Sequence, residues 1–350
     1  MKAKFLLTIL AIATMSGCSS DSSDDSIGNI ETIVSTTPLQ KAFYIAEDDN
    51  SQPAWLQEKI KNSPYLKVYH SEKDGGRYLL EYPNRLQTVS ELYNTDGQLQ
   101  AMPTQEAFDA ALTASAPWTC THVYTYPIEV GSDEWRGLSV QERQARLQLP
   151  DNLLVNMRTE DLILVCLDYP FASDLFAFDD FQRGFMMLHE EFNGFRELMS
   201  RNDLAEPFLS YLDVNWQKAG SMKSKESLAI GQYTLMTVVF KYMLAQDAAI
   251  NQMNSSQLRS MLDLCMRNDQ IEQSDPETWS GVNLEATWYI YAKVIHNKGG
   301  FPFKDDREKR MFDAYIEHPR FFVIEEDGEI YQLFTDDFKE RVITYIKNIA

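Results

Sequence analysis

The chain reads as an α+β protein: a small N-terminal α/β hairpin unit, then a mainly α-helical domain whose succession of helices suggests a solenoid, with a C-terminal β-hairpin. Three observations predict this. Between Tyr65 and Gln100, runs of strand-like residues are punctuated by Asp74-Gly75 and Asp96-Gly97, a dipeptide that supplies the positive φ angles of tight hairpin turns. From Asp151 onward the apolar period becomes helical, with Phe181, Phe185, Leu188, Phe192 and Phe195 recurring at steps of four and three, which lays five large groups on one stripe. Near the end, Phe321 to Phe334 folds back at Asp327-Gly328, so a two-residue loop sets Ile324 against Tyr331 and Phe322 against Leu333.

The chain begins with Lys2 and Lys4, an apolar run from Phe5 to Met15, and the small residues Ser16 and Gly17 before Cys18. That order is a secretory signal. The apolar run is well short of the roughly 20 residues that cross a bilayer. Met15-Ser16-Gly17-Cys18 resembles the lipobox of bacterial lipoproteins, which implies cleavage before Cys18 and a diacylglycerol on its sulfur. The competing readings are an ordinary signal peptide beside an unmodified cysteine, or an uncleaved anchor. Two or three acyl chains on one residue exceed the marginal hold of a single chain, so the resemblance implies a partner in the membrane itself. Residues 1–17 are thus assigned as leader and 18–37 as tether. Within the tether, the serine and aspartate run from Ser19 to Ser26 buries no apolar area. It also resembles the acidic export signal of Bacteroidota-type surface lipoproteins, implying an outer-membrane, surface-exposed location in the cell envelope.

With 350 residues, 44% of them hydrophobic, the chain has material for one large domain or two smaller cores. Its formal charge of -20 repels phosphate backbones and anionic headgroups, so nucleic acid is not an expected partner. Of the 4 cysteines, Cys18 belongs to the anchor. Cys120, Cys166 and Cys265 remain, an odd number that allows one disulfide at most. Cys166 and Cys265 stand in apolar surroundings and read as small buried hydrophobes.

The first domain is expected over 38–127. Pro53 opens a short helix running to Asn62, at a position where its missing N–H costs nothing. Tyr65–His70, Arg77–Tyr82, Val89–Tyr93 and Gln98-Leu99 supply strands, and Trp55 to Gln100 resembles a module of secreted Bacteroidota proteins in which a helix precedes two hairpins. Thr104–Ala114 reads as a helix, and Trp118–Tyr126 as a strand with Cys120, His122 and Tyr124 on one side.

The helical domain is expected over 128–350, with the hairpin near 321–334. Ser139-Val140-Gln141-Glu142 forms a capping box, and Pro150 stops the helix it opens. Tyr233–Ala245 is apolar nearly all round apart from Thr234, Thr237 and Lys241, a buried central helix rather than a membrane span. Asn254 with Gln257, Asp305 with Glu308, and Asp337 with Glu340 mark further helix starts. Leu284, Trp288, Tyr291 and Ile295 form another stripe. Successive helices joined by short polar breaks suggest stacked hairpins in the manner of an α-solenoid. Thr159–Tyr211, with Leu167-Asp168-Tyr169-Pro170, Phe181-Gln182-Arg183-Gly184-Phe185 and Phe192-Asn193-Gly194-Phe195, is similar to a family of uncharacterised Bacteroidota lipoproteins, which carries no activity over to this chain.

No catalytic, cofactor-binding or metal residue emerges, and no cofactor is expected. His189-Glu190-Glu191 has Asn193 where a zincin helix requires its second histidine. Cys120 and His122 could meet on a strand face, but no third orienting group follows from spacing. Asp179-Asp180, Asp305-Asp306 and Asp336-Asp337 each precede an apolar-periodic run and read as helix caps. Glu325-Glu326-Asp327-Gly328-Glu329 lacks EF-hand spacing, Gly299-Gly300 lacks the lysine of a phosphate loop, and a Gly-x-Ser-x-Gly elbow is missing. The expected function is a non-catalytic surface lipoprotein that binds a protein or glycan partner. The alternatives are a hydrolase with a carboxylate-based site and a structural subunit of an envelope complex.

Overall fold

The computed structural model describes residues 52–84, 87–104, 106–107, 110, 119–221, 227–275, 279, 281–320, 323–326 and 329–349. The leader, Cys18 and the tether lie outside these residues, as do most of Thr104–Ala114, Trp118, Phe321, Phe322 and the Asp327-Gly328 turn. The described chain is α+β, with a five-stranded antiparallel sheet, many helices after it, and a C-terminal two-stranded hairpin. It divides into two compact units, one ending at Asp168 and the other starting at Tyr169. The division expected at 127/128 therefore falls inside the first unit, and residues 128–168 belong with the sheet.

The first unit has helix α1 (Ala54–Asn62), strands β1 (Tyr65–Ser71), β2 (Arg77–Asn84), β3 (Gln87–Asn94), β4 (Leu99–Ala101) and β5 (Thr119–Tyr124), then α2 (Asp133–Gly137), α3 (Val140–Arg146), α4 (Asp151–Asn156) and α5 (Thr159–Leu167). The sheet order is β4-β3-β2-β1-β5, all pairs antiparallel. β1 is buried along almost its whole length, because both faces of the sheet are covered. Side chains alternate across a strand, so Leu66 and Val68 pack with Leu80, Tyr78 and Tyr93 around Leu56 of α1. Tyr65, Lys67 and Tyr69 project to the other face, where α5 lies. There Lys67 Nζ sits 2.6 Å from Asp161 Oδ1, Tyr65 OH donates to Asp161 Oδ2 at 2.5 Å, and Arg158 donates to Tyr69 OH at 3.1 Å. These contacts, with Tyr126 OH donating to Val165 O at 2.7 Å, bind the helical stretch to the sheet.

The Ser139 and Glu142 capping box is present. Its helix ends at Arg146, however, and Pro150 instead precedes the first turn of α4. The expected Asp74-Gly75 hairpin turn is a 3₁₀ turn over Lys73–Gly75.

The second unit comprises a 3₁₀ segment (Ala172–Ala177), α6 (Phe181–Glu191), α7 (Asn193–Ser200), α8 (Ala205–Ser221), α9 (Ser227–Leu244), α10 (Asp247–Ile250), α11 (Ser255–Ser274), α12 (Val282–Lys298), α13 (Asp306–Glu317), β6 (Val323–Glu326), β7 (Glu329–Gln332) and α14 (Asp336–Ile349). Two helical hairpins stack, α8 on α11 and α9 on α12, and α13 and α14 pack on α12. The expected phenylalanine stripe is interrupted: Phe192 takes an extended conformation that ends α6 and starts α7. Its ring still stacks on Tyr169, centroids 4.1 Å apart, and packs edge-on against Phe195. The stripe is thus one core built from two helices. Gly184 lies against the 3₁₀ segment, where a Cβ would come within 2.6 Å of Leu175 O.

Asn254 and Gln257 form their capping box, and Asp305 accepts from Glu308 N. α14 is capped by Thr335, whose Oγ1 accepts from Phe338 N at 3.2 Å, and Asp337 turns to Arg341 instead of forming the expected box with Glu340. The hairpin register pairs Ile324 with Tyr331 as expected. On α12 the buried face is wider than the expected stripe: Leu284 and Trp288 are half-buried, while Ala286, Thr287, Tyr289 and Ile290 are buried.

The three polar interruptions of the central helix are buried as well. Lys241 donates to Asp269 Oδ1 at 3.3 Å and to Asn283 O at 3.0 Å. Thr287 donates to the same Asp269 oxygen at 2.9 Å, Asn283 Nδ2 donates to Glu272 Oε1 at 2.9 Å, and Asn268 Nδ2 donates to Tyr233 OH at 2.6 Å. Asn215 and Thr237 bond to each other at the α8 side of this network. Polar groups buried among apolar helices are costly unless partnered, and here nearly every one is.

Candidate functional site

A groove of about 410 Å³ opens on the first unit between α1 and the β3–β4 turn, lined by Trp55, Glu58, Lys59, Asn62, Ser63 and Gly97. Both walls follow from local sequence. Pro53 O accepts from Leu56 N and Gln57 N and starts α1, and fully buried Leu56 pins that helix to the sheet. At spacing i, i+3 and i+4, Trp55, Glu58 and Lys59 share the side of the helix that turns to the groove. The opposite wall is the Asn94–Gln98 turn, in which Asn94 Oδ1 accepts from Asp96 N and Gln98 N. Gly97 has φ +75°, and a Cβ there would stand 2.5 Å from the Trp55 ring, so only glycine lets the turn close on the indole.

Trp55 is fixed on several sides. Its Nε1 donates to Thr95 O at 3.1 Å, its ring meets Tyr93 at 5.1 Å and Tyr78 edge-on at 5.4 Å, and Gly97 covers its face. It shapes the groove and does not serve as an open stacking platform. Lys59 is held by Glu91 at 3.3 Å and lies 4.7 Å over the Tyr93 ring. Tyr93 OH and Tyr82 OH also donate to Glu91, at 2.6 and 3.0 Å. Burial works against ionising Glu91, but the hydrogen bonds from Tyr93 and Tyr82 and the charge of Lys59 outweigh it and hold the carboxyl below its usual range. For Lys59 the burial penalty is likewise outweighed, by Tyr93 and Glu91, and its ammonium is held above the usual range. The groove therefore presents a firmly charged amine, the exposed carboxylate of Glu58 and amide of Asn62, and the Ser63 hydroxyl. That set of donors and acceptors suits a polar ligand rich in hydroxyl or amide groups, in a volume typical of small-ligand sites.

The residues singled out from sequence lie elsewhere. His189 is half-buried and Glu190 exposed on α6; burial, then the charge of Arg196, lowers the His189 imidazole. Among the described residues no group of three or more His, Cys, Asp or Glu is placed to hold a metal ion. His122 on β5 has Thr125 Oγ1 3.0 Å from its Nε2, and burial lowers its imidazole to about 4. Cys120 lies on the same strand, and its side chain is outside the described residues. Cys166 and Cys265 are buried, and burial pushes the Cys265 thiol up to about 12.

Asp180 caps α6 by accepting from Arg183 N, and it also meets His318 at 3.1 Å. Asp179 meets Arg320, and Asp337 meets Arg341. In the acidic tip, Glu326 is bound by Arg307 and Arg310, and Glu329 accepts from Tyr331 OH. No helix among the described residues is long and apolar enough to cross a membrane.

The sequence offered Trp55 to Asn62 only as a helix and Asp96-Gly97 only as a turn. That the two meet was signalled by nothing shorter-ranged than the fold. Comparison with known protein families, curated proteins and solved structures gives no match to this chain.

Proposed function

We propose that the protein is a lipid-anchored binding protein of the bacterial cell envelope, attached to the outer membrane through Cys18 and facing outward, and that its ligand is a glycan held in the α1 groove. The anchor rests on the order of cationic start, short apolar run and Ser16-Gly17-Cys18. The single observation that carries the binding role is the groove itself. An immobile aromatic wall and a charged lysine stand beside an exposed carboxylate, amide and hydroxyl, and this is the mixture of donors and acceptors that sugar hydroxyls require. Side chains already held in place lose little entropy on binding. Asp180 caps α6 and meets His318, and Asp305 caps α13, which favours a structural role for these two carboxylates over a catalytic one.

The test is a glycan array probed with the mature chain carrying Cys18→Ser, followed by calorimetry on any hit. Asn62→Ala and Glu58→Ala, at exposed positions that leave the core intact, should each weaken binding by about tenfold, the order expected for losing one hydrogen bond to a polar ligand. Undiminished binding in both variants would remove the groove from the account. Stoichiometric capture of a protein partner whose binding is blocked by the same variants would replace the glycan with a polypeptide.

A further inference from the structure

The helical unit encloses two carboxylates, Asp269 and Glu272, with one ammonium, Lys241, all of them buried. Lys241 is matched to Asp269, at 3.3 Å, and its remaining bonding goes to Asn283 O. Among the described residues Glu272 receives Asn283 Nδ2 and forms no ion pair. An ionised carboxylate so placed would be a net charge in a dry interior, which proteins avoid by protonating the group. One turn earlier on the same helix is an acceptor without a donor: Asn268 donates through Nδ2 to Tyr233 OH, and its buried Oδ1 has no partner.

We propose that Glu272 is held as the neutral carboxylic acid, donating its proton to Asn268 Oδ1, and that its ionisation loosens the packing of α11 against α9 and α12. The network thereby acts as a pH-sensitive latch in the helical unit. The proton is taken from solvent when the unit closes and returned when it opens. Groups facing Glu272 from each packed element are accounted for among the described residues. α9 contributes Lys241 and Tyr233, and α11 itself contributes Asp269. α12 presents Asn283 and Thr287, and α8 presents Asn215, none of which titrates. α14 meets α11 at its far end, where Ser255 Oγ donates to Ile349 O at 3.2 Å. Above the network Trp279 packs on Tyr233, ring centroids 5.3 Å apart, with Ile230 and Ile271 beside them, sealing it from water. Burial and the charge of Asp269, against the pull of Lys241, push the Glu272 carboxyl from 4.5 up to about 7.

The sign follows from linkage. A carboxyl that binds its proton more tightly when folded stabilises the fold at low pH and loses that stabilisation as pH rises through its folded value. With 4.5 for the open state and about 7 for the closed one, opening of α9 and α11 should become roughly 70-fold more favourable between about pH 5 and about pH 8.

The experiment is hydrogen exchange on the full mature chain in detergent, corrected for intrinsic rates, with the β1–β3 amides of the other unit as internal reference. Wild type should show that rise in α9 and α11 over the reference strands. Glu272→Gln, which keeps the shape of the neutral acid, should abolish most of it. Infrared spectra of wild type should show a buried carboxylic acid band at low pH that disappears by about pH 8 and is missing in the glutamine variant. A flat wild-type profile overturns the proposal whether or not the variants fold, and so does an unchanged slope in Glu272→Gln.

Discussion

Replacing Asp161 by asparagine should strongly destabilise the first unit. Asp161 is fully buried and receives Lys67 at 2.6 Å, Tyr65 OH at 2.5 Å and Arg158 Nε at 3.4 Å. Burial alone would raise its carboxyl, but the charges of Lys67 and Arg158 outweigh that penalty and bring it down from 3.8 to about 2. Such a depressed value stabilises the fold at all pH above the unfolded value and is lost as pH falls from about 4 toward 2, a contribution of about 2 kcal/mol. Asp161→Asn goes further, because Lys67 is 1% exposed and is left as a buried cation without its carboxylate. Breaking one side of a buried pair costs about 3–5 kcal/mol, a large share of the roughly 5–15 kcal/mol that holds a domain together.

Urea denaturation followed through the sheet's tyrosines would measure the loss. The double variant Lys67→Met, Asp161→Leu should recover most of it, since an apolar pair of similar volume removes both charges. A cost below about 1 kcal/mol for Asp161→Asn, or a double variant no better than the single, would refute the reasoning.

Gly184→Ala should destabilise the helical unit by about 1–3 kcal/mol, since the added methyl meets the Leu175 carbonyl at 2.6 Å and backbone must move; thermal melts of the α6 region would show it. Thr335→Ala should cost about 1 kcal/mol by releasing the Phe338 N–H at the start of α14, while Thr335→Ser should restore it. Cys265, buried and with its thiol pushed up to about 12, should resist a thiol reagent in the folded chain and react on unfolding, because the thiolate is the reactive form and burial suppresses it.

The sequence was most legible where a signal is local. The capping boxes at Ser139 and Asn254 satisfy backbone groups three residues away, and both form as expected. The strand alternation from Tyr65 announces a sheet and not what covers each of its faces. Lys67, within that strand, points at Asp161, 94 positions along the chain. That partner was invisible because Asp161 stands in the first turn of α5, where an acid is ordinary on helix-dipole grounds alone. The contacts that join 128–168 to the sheet were hidden for the same reason, being long-range polar ones.

Lys241 was noted as an interruption of an apolar helix, and such a residue is the available sign of a buried network, though its acids lie on another helix. The break at Phe192 was hidden because Phe195 continues the stripe's spacing, and only the extended backbone reveals it. The groove combines two features that were each legible, a helix and an Asp-Gly turn, whose meeting depends on tertiary packing.

The central claim is that the chain is anchored by lipid on Cys18. Its most direct measurement is mass spectrometry of the mature N-terminal peptide from membranes, alongside Cys18→Ala. The account predicts a chain starting at Cys18 with the mass of a diacylglycerol-modified cysteine, and an alanine variant that is neither cleaved nor lipidated. An N-terminus at any other residue, or a bare thiol at Cys18, would contradict it.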